Sequence, residues 1–160
     1  MLSYPDDLTV RLLNELSGVL DKTQNEILED LGTYLVSHPN VEALRRLMRF
    51  GGVNFTEFIH SLDDLPARVR IAVPDLSLPS LEVHSHAPNV FCLTIQTRTW
   101  ERLRYGRVFL GLLRALADDY GALVVLDYTG TNPDQEVVEI SLLEPEFAQG
   151  RNFDLALRAG

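Results

Sequence analysis

Two kinds of hydrophobic spacing divide the chain. In its first half, apolar residues recur every three to four positions, which is the spacing of one face of an α-helix. The pattern predicts helices with apolar stripes over residues 8–20, 27–35, 41–48 and 55–62. Thr23 and Glu26 have the spacing of a capping box, and Asn54 is typical of another helix start. Gly51-Gly52 predicts the end of the third helix.

The second half changes period twice. Apolar and polar residues first alternate, as on a strand with one buried face, and the helical period then returns before a second alternating stretch. The pattern predicts a hairpin with strands at 81–86 and 91–97, a helix at 105–120 ended by Gly121, and a second hairpin with strands at 122–128 and 136–143 around the polar loop 129–134.

This order of elements predicts an α+β fold. The N-terminal helices precede a four-stranded antiparallel sheet, with a helix between its two hairpins. We interpret residues 1–143 as a single domain, and residues 144–160, which have no clear period, as a C-terminal tail.

Composition narrows the class of protein. Hydrophobic residues make up 46% of the 160 positions, which is enough for a real core. The net charge of −9 argues against binding to nucleic acid or to anionic membranes. The single cysteine excludes an internal disulfide, and the N-terminus lacks the apolar stretch of a signal peptide. These features predict a soluble cytoplasmic protein.

A spaced set of residues carries a resemblance to a known family. Phe58-Ile59-His60-Ser61-Leu62-Asp63-Asp64-Leu65-Pro66 is followed by Pro74 eight positions after Pro66, and by Pro79-Ser80-Leu81 from the thirteenth position. The set resembles the heme nitric oxide/oxygen binding (H-NOX) family, the sensor domain of soluble guanylate cyclase and of bacterial signalling proteins. That family reads Phe-Leu-x-x-Leu-Asp-x-Leu-His with the same two spacings. Tyr4-Pro5-Asp6-Asp7 and the stretch 107–121 are also similar, so the resemblance covers residues 4–142.

The sequence departs from the family at one decisive position. The resemblance implies heme as the cofactor, held by a histidine at the position that Pro66 occupies here. A proline offers iron no lone pair, so the usual axial bond cannot form. Proline also disfavours helical geometry at the preceding residue, which predicts a helix break near Asp63-Asp64 and a restart with Pro66 in the first turn. The family's first helices are absent from this sequence as well.

Other residues are chemically able to bind iron. Met48, Cys92, Tyr105 and Tyr120 carry suitable donor atoms, although no spacing singles out any of them.

The resemblance also implies which residues line the family's pocket. On the side of the missing histidine these are Leu62, Leu65, Pro66, Ile71, Val73, Pro79 and Leu81. Without heme, the same side chains have the alternative of packing together and filling the pocket.

The one basic cluster of the chain lies around the start of the 105–120 helix. It consists of Arg98, Arg102, Arg104, Arg107 and Arg114, with Trp100 beside it. Guanidinium groups grip carboxylates, so Arg98, Trp100 and Arg102 are candidate ligand-binding residues at a carboxylate clamp. The alternative is a solvated face that balances the acidic charge of the tail.

Two smaller constellations have ordinary alternatives. His84 and His86 project from one strand face beside Glu82, which suits zinc or copper, but two clustered ligands are too few for a metal site, and an exposed strand face beside a turn is the favoured explanation. Cys92 is either a small apolar filler or a nucleophile that still needs a base. No phosphate loop or catalytic motif is present, so we predict no enzyme.

Three hypotheses follow. The first is an H-NOX-like sensory module without histidine-ligated heme, which takes a small apolar or gaseous ligand and signals to a kinase or cyclase. The second is a heme-free interaction domain that docks such a partner or forms a homodimer. The third is a heme-binding gas sensor with a non-standard axial ligand.

Overall fold

The computed structural model describes residues 6–72, 74, 78–96, 103–132 and 134–143. The helices are α1 Asp6–Leu20, α2 Gln24–Ser37, α3 Glu42–Arg49, α4 Phe55–His60, α5 Leu65–Ala72 and α6 Tyr105–Tyr120, with short 3-10 helices at Pro39–Val41 and Ser61–Asp64. The strands are β1 Ser80–Ala87, β2 Val90–Gln96, β3 Val124–Asn132 and β4 Gln135–Leu142. Among these residues no helix combines the length and apolarity needed to cross a bilayer.

Three of the predicted helix ends are confirmed by the local geometry of the structure. The Thr23 amide donates to Glu26 Oε2 at 2.7 Å, and the Glu26 amide donates to Thr23 Oγ1 at 3.3 Å, which completes the capping box. Asn54 Oδ1 accepts the Glu57 amide at 2.9 Å and starts α4. Gly121 ends α6 with φ 68°, a left-handed conformation that glycine adopts without strain.

The four strands form one antiparallel sheet in the order β1-β2-β4-β3. This arrangement, with α6 between the two hairpins in sequence, confirms the predicted α+β fold. The prediction of a loop over 129–134 was wrong, because β3 continues to Asn132. The β3–β4 register shifts between Thr129 and Asn132, and Asn132 Oδ1 accepts the Asp134 amide at 3.1 Å. The irregularity and this Asx turn let the strand extend through polar residues.

Nine of the largest fully buried side chains form what we call the sheet core. Its members come from α4, the following 3-10 helix, α6 and the two central strands: Phe55, Phe58, Ile59, Leu62, Leu93, Ile95, Leu113, Leu116 and Ile140. Tyr120 closes one side of it, with its ring 5.9 Å from that of Phe58 and its hydroxyl donating to the Gly52 carbonyl at 3.0 Å.

Helices α2 and α6 touch through their backbones. A Cβ atom added to Gly32 would overlap the Val108 carbonyl oxygen, and one added to Gly111 would overlap the carbonyl oxygen of Glu29. The Thr33 hydroxyl donates to the Gly111 carbonyl at 3.3 Å across the same crossing. Only glycine permits so close an approach, and it holds the two helices at a fixed separation.

The change of helix type before Pro66 is confirmed, but the predicted loss of helical geometry at the preceding residue was wrong, because Leu65 keeps right-handed helical angles of φ −57° and ψ −44°. The helix changes to the 3-10 form at Ser61–Asp64, and α5 begins at Leu65 with Pro66 in its first turn, where a missing amide hydrogen costs nothing. Asp63 Oδ1 accepts the Val83 amide at 2.6 Å and so ties this segment to the free edge of β1. Arg68 Nη2 donates to the Ser61 carbonyl at 2.8 Å and braces the start of α5.

Candidate ligand cavity

A cavity of about 320 Å³ lies among α2, α3, α5 and α6, and we call it the helix cavity. Its lining residues are Leu31, Leu35, Leu44, Met48, Leu65, Val69, Leu78, Leu103, Tyr105, Val108, Phe109 and Leu112. All of them are apolar except for the Tyr105 hydroxyl. The volume is at the lower end of the range of about 300–1,000 Å³ found for small-molecule sites.

Helical periodicity explains the apolar walls. Leu31 and Leu35 are four residues apart on α2, as are Leu65 and Val69 on α5. Such spacing places each pair on one helix face, so both helices present an apolar stripe to the space between them. A cavity with such walls suits an apolar guest, because empty apolar space costs stability.

The structure divides the residues that the resemblance placed in the pocket. Leu65 lines the helix cavity, whereas Leu62, Pro79 and Leu81 are buried outside its lining, and Pro66 is half-buried and does not line it either.

Ile71 was wrongly placed in the pocket, because it is 84% exposed. Two residues after the buried Val69, it lies on the opposite face of α5. Val73, Arg98, Trp100 and Arg102 lie outside the described residues.

Sequence reasoning missed most of the cavity walls. On α2 and α6 the stripes that now line the cavity were interpreted only as core-facing positions. Two stripes that face each other on separate helices could have suggested a site, but only the tertiary arrangement shows that a space lies between them.

Two of the three described arginines of the cluster pair with α2. Arg107 Nη1 lies 3.0 Å from Glu29 Oε1, and Arg114 Nη2 lies 3.6 Å from Glu29 Oε2. The Arg107 guanidinium also stacks on the Tyr128 ring, 4.2 Å from its centroid. Arg104 Nη1 donates to the Tyr128 hydroxyl at 3.4 Å. Glu29, an acid within the fold, therefore pairs with both Arg107 and Arg114.

A buried acid at the start of α6 was also missed by the sequence analysis. Glu136 is 5% exposed, and its Oε2 accepts the Gly106 amide at 3.1 Å and the Tyr128 hydroxyl at 2.6 Å. Burial and then the hydrogen bond to Glu136 raise the pKa of the Tyr128 phenol above its usual value. Arg104, at the N-cap of α6, makes no capping bond, so Glu136 supplies the cap from β4.

The histidines of β1 do not form a metal site with their neighbours. His84 Nε2 lies 3.8 Å from Glu82 Oε2, and Cys92 is opposite His84 in the β1–β2 register. Within the described ranges, no three His, Cys, Asp or Glu side chains are placed to hold a metal ion.

Comparison with known proteins identifies the family. The family model Haem-NO-binding matches residues 1–127, which is most of the chain. The chain belongs to the Haem-NO-binding family. No curated protein sequence matches it.

Solved H-NOX structures share the fold. A mutant of an H-NOX protein from S. oneidensis in the Fe(II) ligation state superposes with a TM-score of 0.74 and 18% identity, over 89% of this chain and 76% of that one. An Fe(II) unliganded H-NOX protein from K. algicida gives 0.70 and 18%, over 90% and 76%. A mutant of the H-NOX protein from T. Tengcongensis gives 0.69 and 16%, over 90% and 77%.

The helix cavity contains no histidine side chain that could ligate a heme iron. The protein has four histidines, and none lines the helix cavity. His38 stacks on Tyr34 at 4.4 Å, His60 packs edge-on against Phe91 at 5.3 Å, and His84 and His86 are exposed.

Two other donor atoms do reach the cavity wall of this Haem-NO-binding domain. Met48 and Tyr105 line it, and Met48 is only 3% exposed. Tyr120 packs against the sheet core and Cys92 lies on a strand of the sheet, so neither lines the cavity.

Proposed function

We propose that this domain is a sensory module whose helix cavity binds a small apolar molecule, gases included, without histidine-ligated heme. The observation that carries the proposal is an apolar cavity of about 320 Å³ to which none of the four histidines contributes a side chain. The fold of a heme-based sensor is thus combined with a site whose chemistry suits an apolar guest.

The cavity offers a route from ligand to output. Leu65 and Val69 form its α5 wall, and the same segment is tied to β1 through Asp63 and the Val83 amide. A ligand that binds one position of α5 more tightly than another shifts the population of that helix. A kinase or cyclase that contacts α5 or the neighbouring surface would respond to this change in the position of the helix.

Binding of indole tests the proposal, since indole is small, aromatic and uncharged. We expect it to raise the melting temperature, because a ligand that binds only the folded state adds about 2.7 kcal/mol at a concentration one hundred times its Kd. Val69→Phe should fill the cavity and abolish the shift. Val125→Phe, at a half-exposed strand position, is the matched control and should keep it. Equal shifts in both variants would show that indole binds elsewhere.

A heme-binding sensor with a non-standard ligand is the second candidate, and the placement of Met48 and Tyr105 on the cavity wall favours it. Either side chain is a known type of heme ligand. Absorbance spectra of hemin mixed with Met48→Leu and Tyr105→Phe variants test it. A Soret band that either substitution shifts would support this candidate.

A heme-free interaction domain is the third candidate. It is favoured by two exposed hydrophobic side chains between α3 and α4, Phe50 and Val53, which are 85% and 82% exposed. Aromatic residues of this kind are enriched at protein interfaces. Failure of indole to bind, together with loss of kinase or cyclase binding in a Phe50→Ser variant, would favour this role.

A further inference from the structure

We propose that a zinc ion binds between two copies of this domain, held by His84 and His86 of each copy where the open ends of their β1 strands pair. The proposal is independent of the helix cavity, because no residue of β1 lines that cavity. Within the described part of one chain, the histidines of β1 have too few neighbouring ligands for a metal ion. The second copy supplies the ligands that are missing.

His84 and His86 share the outer face of β1. Side chains two residues apart on a strand point to the same side, so both imidazoles lie on the face opposite the buried Leu81. Both histidines are exposed, and His84 Nε2 lies 3.8 Å from Glu82 Oε2. This acid adds negative charge beside the imidazoles, which favours a divalent cation at this place.

The second half of β1 is open to another strand. β1 lies at one end of the sheet order, so one of its two edges has no neighbouring strand. Asp63 closes the first half of that edge, because its Oδ1 accepts the Val83 amide at 2.6 Å. Residues 84–87 are all exposed. An open strand edge of this kind is a template for pairing with a further strand.

The direction of the backbone groups selects one symmetric register. The Val83 amide donates to Asp63 and so faces away from β2, and the Ser85 amide, two residues further on, faces the same way. A two-fold axis at Ser85 therefore lets two antiparallel β1 strands exchange a pair of hydrogen bonds between their Ser85 backbone groups. In this register His84 of each copy stands opposite His86 of the other copy.

This register gathers four imidazoles on one face of the joined sheets. Residues directly opposite each other on antiparallel strands have Cβ atoms about 4.5–5.5 Å apart. Structural zinc sites take four nitrogen or sulfur ligands, and zinc imposes no geometry of its own through d-electrons. Two histidines from each copy complete such a set.

The metal is necessary for the pairing. One pair of backbone hydrogen bonds is a small contact, and each chain carries a net charge of −9, so two copies repel each other. A zinc ion bound to both copies adds four coordinate bonds and positive charge at the contact. We therefore expect a monomer without metal and a dimer with it.

Sedimentation equilibrium of the full chain tests the site, first with EDTA and then with zinc chloride. The protein should be monomeric with EDTA and dimeric with zinc, and calorimetry should give one zinc ion for every two chains. His84→Ala and His86→Ala should each abolish the zinc-dependent dimer, since each leaves two imidazoles for the pair. Both positions are exposed, so circular dichroism should show an intact fold. His38→Gln is the matched control, because it removes an imidazole from another part of the chain, and it should dimerise as the wild type does.

Ser85→Pro tests the strand pairing separately from the ligands. It keeps both histidines and removes only an amide that faces away from β2, so the pairing of β1 with β2 should survive. The zinc-dependent dimer should be lost. Failure of zinc to dimerise the wild-type chain, binding of one zinc ion per chain to a monomer, or a zinc-dependent dimer of a folded His84→Ala or Ser85→Pro variant would each overturn the proposal. If Ser85→Pro does not fold, the two histidine variants decide the question.

Discussion

The sheet core and the helix cavity are neighbours in the same domain, yet they are packed in opposite ways. Leu113 and Leu112 are adjacent on α6 and are 0% and 4% exposed. Both belong to the buried hydrophobic cluster, but Leu112 also lines the helix cavity, whereas Leu113 does not. Low exposure therefore does not by itself distinguish a side chain that supports the fold from one that borders a binding site. The two kinds of side chain differ in whether packed atoms surround them on every side.

The difference has an energetic meaning. A side chain that faces a void lacks contact atoms on that side, so it contributes less to stability than a fully surrounded one. The domain keeps this loosely packed region between helices that are otherwise held closely by Gly32 and Gly111. Three substitution pairs test the contrast.

Truncation of adjacent leucines should have the largest effect. Leu113→Ala leaves a new cavity in the sheet core and should lower the free energy of unfolding by about 3–5 kcal/mol. Leu112→Ala only enlarges an existing cavity and should cost about 1–2 kcal/mol less. Urea denaturation measures both, and equal losses would show that the helix cavity is as tightly packed as the sheet core.

The helix crossing above the cavity gives the second pair. Gly32→Ala places a methyl group against the Val108 carbonyl and should cost about 3 kcal/mol, because the two backbones must separate. Gly18→Ala has open space around its Cβ and should stabilise α1 by about 1 kcal/mol. Thermal unfolding compares the two, and a stabilising Gly32→Ala would contradict the close crossing.

Added methylene groups should have the smallest effect. Val69→Leu enters the cavity and should change the free energy of unfolding by less than about 1 kcal/mol while weakening indole binding. Ala117→Val adds volume in a region where Ala117 is 2% exposed and should cost about 1–3 kcal/mol. The contrast fails if Val69→Leu lowers the free energy of unfolding more than Ala117→Val does.

The sequence predicted most of the fold for local reasons. Capping at Thr23 and the change to a 3-10 helix before Leu65 depend on neighbouring residues, so both could be predicted from spacing, whereas the helical geometry of Leu65 itself was not predicted. The extension of β3 to Asn132 could not, because pairing with β4 outweighed the polar composition of that stretch.

The candidate site was harder to predict, since it depends on residues far apart in sequence. Leu65 was predicted through the family resemblance, but Ile71 was assigned to the wrong face of α5. The partnership of Glu136 with Gly106 links positions thirty residues apart and leaves no local signal.

Absorbance of the wild-type protein after hemin addition and desalting tests the central claim most directly. The S. oneidensis H-NOX protein, taken through the same procedure, is the positive control. Because no histidine lines the cavity, we predict no sharp Soret band and no stoichiometric heme in the desalted protein. A sharp band at one heme per chain that persists through desalting would contradict the account.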